Sequence, residues 1–151
     1  MNINYDYLDK FKESIKPTLE AEPIMVVLRT HLFIESMLEE IISNKIKKSE
    51  KLLGTSSFTF HHKLLLVEGF DILPDNIVSS ISQLNKLRNQ CAHNLNVDIT
   101  FDQIVKLGSP LGKRFTDVRK EHGDHVLVCL FTITTYLTGY LAGHCEVLKD
   151  A

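Results

Sequence analysis

The sequence has little net charge. Its 17 lysines and arginines stand against 19 aspartates and glutamates, leaving −2 at pH 7. That excludes a global basic field that would gather nucleic acid, so any such contact has to come from a local patch. Two basic clusters are candidates: Lys45, Lys47, Lys48 and Lys51, and Lys113, Arg114, Arg119 and Lys120. Runs of this kind are most often solvated surface. Cysteine is scarce as well. Cys91, Cys129 and Cys145 are odd in number and form no Cys-x-x-Cys, so no disulfide framework is expected and a reducing, cytoplasmic setting fits. The first residues, MNINYDYLDKFKESI, lack a basic segment followed by an apolar one, and no signal peptide is expected. There is no internal repeat and no low-complexity segment. Strand signal is confined to NVDIT at 96–100.

What the sequence does have is helical periodicity over the length of a single domain, 1–151. A chain of this size hides roughly 68–70% of its unfolded surface, enough for a real core. A first helix is expected from Tyr5 to about Ile15, closed by Pro17, because proline disfavours helical geometry in the residue before it. Pro23 suits a first helical position and opens a long helix to about Lys47. KKSEKLLGTSS reads as a loop, Thr59 to Gly69 as a third helix, DILPDN as a break, and Asn76 to Asn94 as a fourth helix. Thr100 to Gln103, TFDQ, fits a capping box that starts a short helix ending near Leu107. GSPLGK reads as a loop. The last helix is expected to begin between Thr116 and His125 and to end near Leu148. The expected fold is all-α: an up-and-down bundle of four to five main helices, with a loop and short-helix excursion before the last. Val126 to Cys145 carries no formal charge and contains Gly139 and Gly143 in a GxxxG. Twenty such residues can span a bilayer. The threonines, tyrosines and His144 within them suit a central helix buried on most sides, and a membrane anchor is the lesser reading.

Two helices carry polar groups where a core belongs. On the long helix, Ile24, Val27, Leu28, Ile34, Leu38, Ile41 and Ile42 form one stripe, and His31 and Glu35 lie inside it, stacked four apart. On the fourth helix the stripe is Ile77, Ile81, Leu84, Leu87, Cys91, Ala92 and Leu95, with Arg88 near its centre. A buried charge is costly unless paired. One reading is a structural ion pair of Arg88 with Glu35, His31 nearby, fixing helix register. The other is a cleft where the planar fork of Arg88 holds phosphate. His93 stands roughly 140° around the helix from Arg88, on the side of Asn89. Elsewhere, Arg119 with His125 repeats the Arg-x(4–6)-His spacing at a loop-to-helix junction and reads as incidental. His122 and His125 in HGDH lack a third metal ligand, and adjacent His61 and His62 face different ways. Neither a metal nor a cofactor is expected.

The segment LRNQCAHNL resembles the signature of the HEPN superfamily of small helical-bundle proteins, in which an Arg-Asn pair precedes a histidine late in a helix. LRTHLFIESMLEEII is similar to the long preceding helix of that group. SSFTFHHKLLLVEGFDILPDNIVSSISQLNKLRNQCAH has the layout of the mannitol-operon repressor subgroup. The resemblance covers residues 24 to 95, under half the chain. It implies one of two activities. Many HEPN proteins are metal-independent ribonucleases, often toxins, and commonly dimerise. Carried over, Arg88 holds phosphate, His93 is the general acid or base, and Asn89 orients the histidine or the phosphate; from their place in the stripe of the long helix, His31 and Glu35 are expected to support the site. The toxin branch often has tyrosine two residues after the histidine, where this chain has Leu95. The repressor branch shares the motif as a non-catalytic regulator. The implied partners are a second copy of the chain, RNA, and an antitoxin or regulator protein.

Overall fold

The structure, a computed structural model, describes residues 6–15, 22–94 and 98–150, with side chains at 9–13, 22–94 and 98–150. The described chain is all-α. Helix α1 is Asp6–Ile15 and α2 is Pro23–Lys45, with Pro23 in the first turn as its fixed φ allows. Short α3, Ser49–Leu53, lies inside the stretch expected to be loop. Then come α4, Phe60–Gly69, and α5, Asp75–His93, separated by residues 70–74, with the turn at Phe70 and Asp71. Helix α6, Phe101–Gly108, starts at the expected capping box. The Gln103 N–H meets Thr100 Oγ1 at 3.4 Å, and Gln103 Oε1 accepts from the Thr100 N–H at 2.9 Å. A 3-10 turn, Ser109–Leu111, leads to α7, Lys113–His122, and to α8, Val126–Lys149.

The excursion before the last helix therefore holds α6, the 3-10 turn and α7 as separate pieces. Gly112 and Gly123 bracket α7 with φ of +57° and +62°, a region glycine enters without Cβ strain. The last helix begins at Val126 with His125 as its N-cap, at the late edge of the expected window, and α7 precedes it as a separate helix that was not expected. Of NVDIT, Asn96 and Val97 lie outside the described residues, and Asp98 to Thr100 form neither helix nor strand. Leu95 and Pro17 also lie outside them.

Helix α2 is the axis of the bundle. It packs most extensively on α8, and also on α4, α5 and α1. Its fully buried side chains include Ile34, Met37, Leu38, Ile41 and Ile42, facing Ile77, Ile81 and Leu84 of α5 and Leu130, Leu137 and Leu141 of α8 in one continuous core. At roughly 1.5–3 kcal/mol for each large apolar side chain buried, this core dominates the fold's stability. Helix α8 is the one described helix long and apolar enough to cross a membrane. Here it packs against α1, α2, α5, α6 and α7, as a core helix does. All three cysteines are free and buried. Burial pushes the Cys145 thiol up to about 12, and its Sγ lies 3.7 Å from the Met37 carbonyl as a weak donor.

Candidate functional site

The polar groups of α2 turn toward the groove where α4 and α5 meet it. His31 is 4% exposed and its ring stacks on Phe60 at a centroid distance of 4.0 Å. Its Nε2 lies 3.0 Å from Asn85 Oδ1 on α5. Because that oxygen only accepts, Nε2 carries the proton and donates. Burial holds His31 below its ordinary pKa. The Asn85 bond opposes that shift, Arg88 adds to it, and Glu35 and Lys63 act in opposite senses. The imidazole is therefore a neutral core donor.

Glu35 does not pair with Arg88. Its partner is Lys63 on α4, whose Nζ donates to Glu35 Oε1 at 2.7 Å and to Glu39 Oε1 at 2.6 Å. Lys63 is 6% exposed. Burial alone would lower its ammonium, but the two carboxylates outweigh that and hold it above the ordinary lysine range. The geometry explains the exchange of partners: Glu35 and Glu39 are one turn apart, on the side of α2 that meets α4. The expected Arg88–Glu35 ion pair is thus corrected to a Lys63–Glu35–Glu39 cluster. Lys63 was legible by the same signal as Arg88, a charge inside an apolar stripe, here Phe60, Lys63, Leu64 and Val67.

Arg88 is half-buried and has no carboxylate within ion-pair distance among the described residues. Its Nη1 donates to Asn89 Oδ1 at 3.2 Å. Asn89 and His93 are exposed, four residues apart on one side of α5, and His93 is the helix's last residue. The buried stripe of α5 ends at Cys91; Ala92, expected within it, is exposed. The helix thus buries its N-terminal two-thirds and leaves its last turn open. By helical register Arg88 and His93 stand well apart around α5, and among the described residues no hydrogen bond joins them.

The other histidines have local roles. Nδ1 of His62 accepts from the Thr59 backbone N–H at 3.2 Å and lies 2.9 Å from its hydroxyl, closing a capping box on α4. His125 caps α8, its Nδ1 3.5 Å from the Val128 N–H, and Arg119 pairs with Asp124 at 3.1 Å. Among the described residues no three His, Cys, Asp or Glu side chains gather as metal ligands would. No family model, curated protein or solved structure matches the chain.

Proposed function

We propose that this protein is a metal-independent endoribonuclease of the HEPN type. The observation that carries the reading is the Arg88–Asn89 bond at 3.2 Å. By helical register alone Arg88 points to the core and His93 stands roughly 140° away. The bond draws the guanidinium toward Asn89, which shares its face with His93. Arg88, spared a carboxylate because Lys63 takes both, is left to bind an anion. A phosphodiester at this edge meets the guanidinium fork through its non-bridging oxygens. The ribose 2′-oxygen attacks phosphorus and the bond to the 5′-oxygen breaks, giving a 2′,3′-cyclic phosphate and a 5′-hydroxyl. His93 takes the 2′-hydroxyl proton or protonates the departing 5′-oxygen, a role imidazole can fill, with solvent water exchanging the other proton. Arg88 offsets the charge that develops on phosphate. Asn89 holds the guanidinium in place.

The reading includes a homodimer, with a second copy closing the open side of His93. A clean monomer by light scattering at micromolar concentration would remove that part. His31 and Glu35 find their partners within the chain: His31 braces α5 through Asn85 and Glu35 ties α2 to α4 through Lys63, so both act as support and touch no substrate. One observation favours a second reading, a non-catalytic regulator similar to the mannitol-operon repressor group. The exposed His93 has no side-chain partner among the described residues to orient it as a base.

RNA cleavage with chelator present separates the two. Cyclic-phosphate ends from the wild type, lost in Arg88→Ala and His93→Ala while both stay folded, support the nuclease. Chelator-sensitive cleavage, or cleavage indifferent to both substitutions, removes it.

A further inference from the structure

Beside the Asn89–His93 face, α5 and α6 enclose an open groove of about 370 Å³, lined by Gln83, Lys86, Leu87, Gln90, Gln103 and Lys106. Lys86 precedes His93 by seven residues. It therefore lies within roughly 20° of the same helix face, about 10 Å further back along the axis. Gln90 is three residues before His93, one turn back. The groove thus lies alongside the face of α5 that ends at His93.

Its chemistry is one-sided. Lys86 and Lys106 are exposed, one on each wall, and neither has an ion-pair partner among the described residues. Gln103 is fixed at both ends of its amide. Its Oε1 accepts from the Thr100 N–H at 2.9 Å, and its Nε2 donates to Gln90 Oε1 at 3.0 Å. That leaves the Gln90 Nε2 hydrogens without a partner among the described residues, on an amide held through its oxygen. The Gln83 amide has no hydrogen-bond partner among the described residues. Two unpaired cations and two available planar amides, with Leu87 as the one apolar lining residue, are poor anchors for a protein. Protein interfaces rely on aromatic and apolar side chains at their centre. The set matches a nucleic-acid strand: ammonium groups for phosphate, and amides for the donor–acceptor edges of a base. Amides reach those edges in RNA when the base is unpaired and splayed.

We infer that this groove is the track for the substrate strand next to the cleavage point, with Lys86 and Lys106 holding its phosphates and Gln83 and Gln90 meeting an unpaired base. The inference rests on the ribonuclease reading for its substrate. It makes the enzyme specific for single-stranded stretches and places sequence preference in two glutamines outside the Arg-Asn-His motif.

The test is binding of a fluorescein-labelled, single-stranded 2′-O-methyl oligoribonucleotide, which has no free 2′-hydroxyl to attack, followed by anisotropy over a salt series. Lys86→Glu with Lys106→Glu weakens binding at least about tenfold. It also flattens the logarithmic salt dependence by about 1.4, two contacts at about 0.7 each on a single strand. Lys47→Glu with Lys48→Glu, on the exposed segment after α2, makes the same change in net charge and weakens binding less than about threefold. Gln83→Ala with Gln90→Ala narrows the spread of affinities among homopolymers while leaving the salt dependence in place. Equal losses in the two lysine pairs, or no binding by the wild type, overturn the inference. Groove-dependent binding without Arg88- and His93-dependent cleavage of ordinary RNA leaves the groove standing and removes the nuclease. Motif-dependent cleavage with binding indifferent to Lys86 and Lys106 removes the groove alone.

Discussion

Lys63 on α4 and Arg88 on α5 both act electrostatically on His31, yet the fold treats them differently. Lys63 is sealed in and holds two carboxylates; Arg88 is half-buried and holds a neighbouring amide. A buried cation with both partners satisfied is a structural device, costly to break and unable to take a ligand. A cation whose only bond is to a neutral, exposed side chain contributes little to stability and keeps its charge for something else. Glu35 and Glu39 are thus engaged at the α2–α4 seam, while Arg88 keeps no carboxylate partner among the described residues.

The largest expected effect tests this contrast at Arg88 and His93. Changing either to alanine lowers RNA cleavage at least about 100-fold, the range for loss of a general acid–base or a charge-stabilising group. Stability in urea changes by less than about 1 kcal/mol, because neither side chain is in the packed core. A large stability loss in Arg88→Ala would make Arg88 a second Lys63 and end the distinction. Lys63→Ala should show the opposite profile: about 2 kcal/mol of stability lost, with cleavage per folded molecule preserved. The figure sits below the 3–5 kcal/mol typical of a fully buried pair, since Glu35 and Glu39 keep side-chain exposures of 27% and 41% and water can reach them once Lys63 is gone. Adding Glu35→Gln and Glu39→Gln to Lys63→Met should recover much of the loss, because the triple change removes the uncompensated charges.

His31 gives a smaller, pH-dependent effect. Its folded pKa is lowered by burial, with Asn85 opposing, Arg88 adding, and Glu35 and Lys63 facing it from α2 and α4. Below the unfolded value of about 6.5 the unfolded chain therefore binds the proton more readily, and stability falls as pH drops. The contribution is fully present above about pH 6.5 and is lost as pH falls from there toward the lowered folded value. Urea midpoints at pH 7.5 and pH 5 should fall further for the wild type than for His31→Gln, which has no proton to take up. Equal falls would mean that His31 is solvated and the seam is less dry than its stacking on Phe60 implies.

Much of this fold was legible because its signals are local. Pro23, the Thr100–Gln103 box and the apolar stripes of α2 and α5 set helix positions to within a few residues. Helices α3 and α7 were not, for a local reason too. Both are short, five and ten residues, rich in charge and closed by a glycine, so α3 read as loop and α7 was not separated from the approach to the last helix. At the site, inward-facing His31 followed from periodicity, but its bond to Asn85 and the choice of Lys63 over Arg88 by Glu35 did not. Those depend on how far α4 and α5 are rotated against α2, which no single helix encodes. The turn of the Arg88 guanidinium toward Asn89 is a rotamer choice, made possible because Lys63 had already satisfied the carboxylates. His93, Asn89 and Arg88 were named by pattern, whereas the lysines and glutamines of the α5–α6 groove carry no pattern and emerge only when two helices are brought together.

The smallest expected effects come from two capping boxes that look alike and belong to the two regions. His62 closes the start of α4, on the side of Lys63; Gln103 closes the start of α6, on the side of the groove. Both caps are exposed, so water can replace the lost acceptor, and His62→Ala and Gln103→Ala should each cost about 0.5 kcal/mol in urea unfolding. His62→Glu should match or exceed the wild type, since glutamate is a favoured residue at that position and its charge suits a helix N-terminus. Beyond stability the two boxes should diverge. Among the described residues His62 makes hydrogen-bond and ring contacts only with Thr59, Phe58 and His61, so its variants should leave RNA binding unchanged. Gln103 also fixes the Gln90 amide at 3.0 Å, so Gln103→Ala should weaken binding of the 2′-O-methyl strand by a few-fold as Gln90 loses its orientation. If Gln103→Ala changes stability alone, Gln90 needs no holding, and the α6 box is as purely structural as the one on α4.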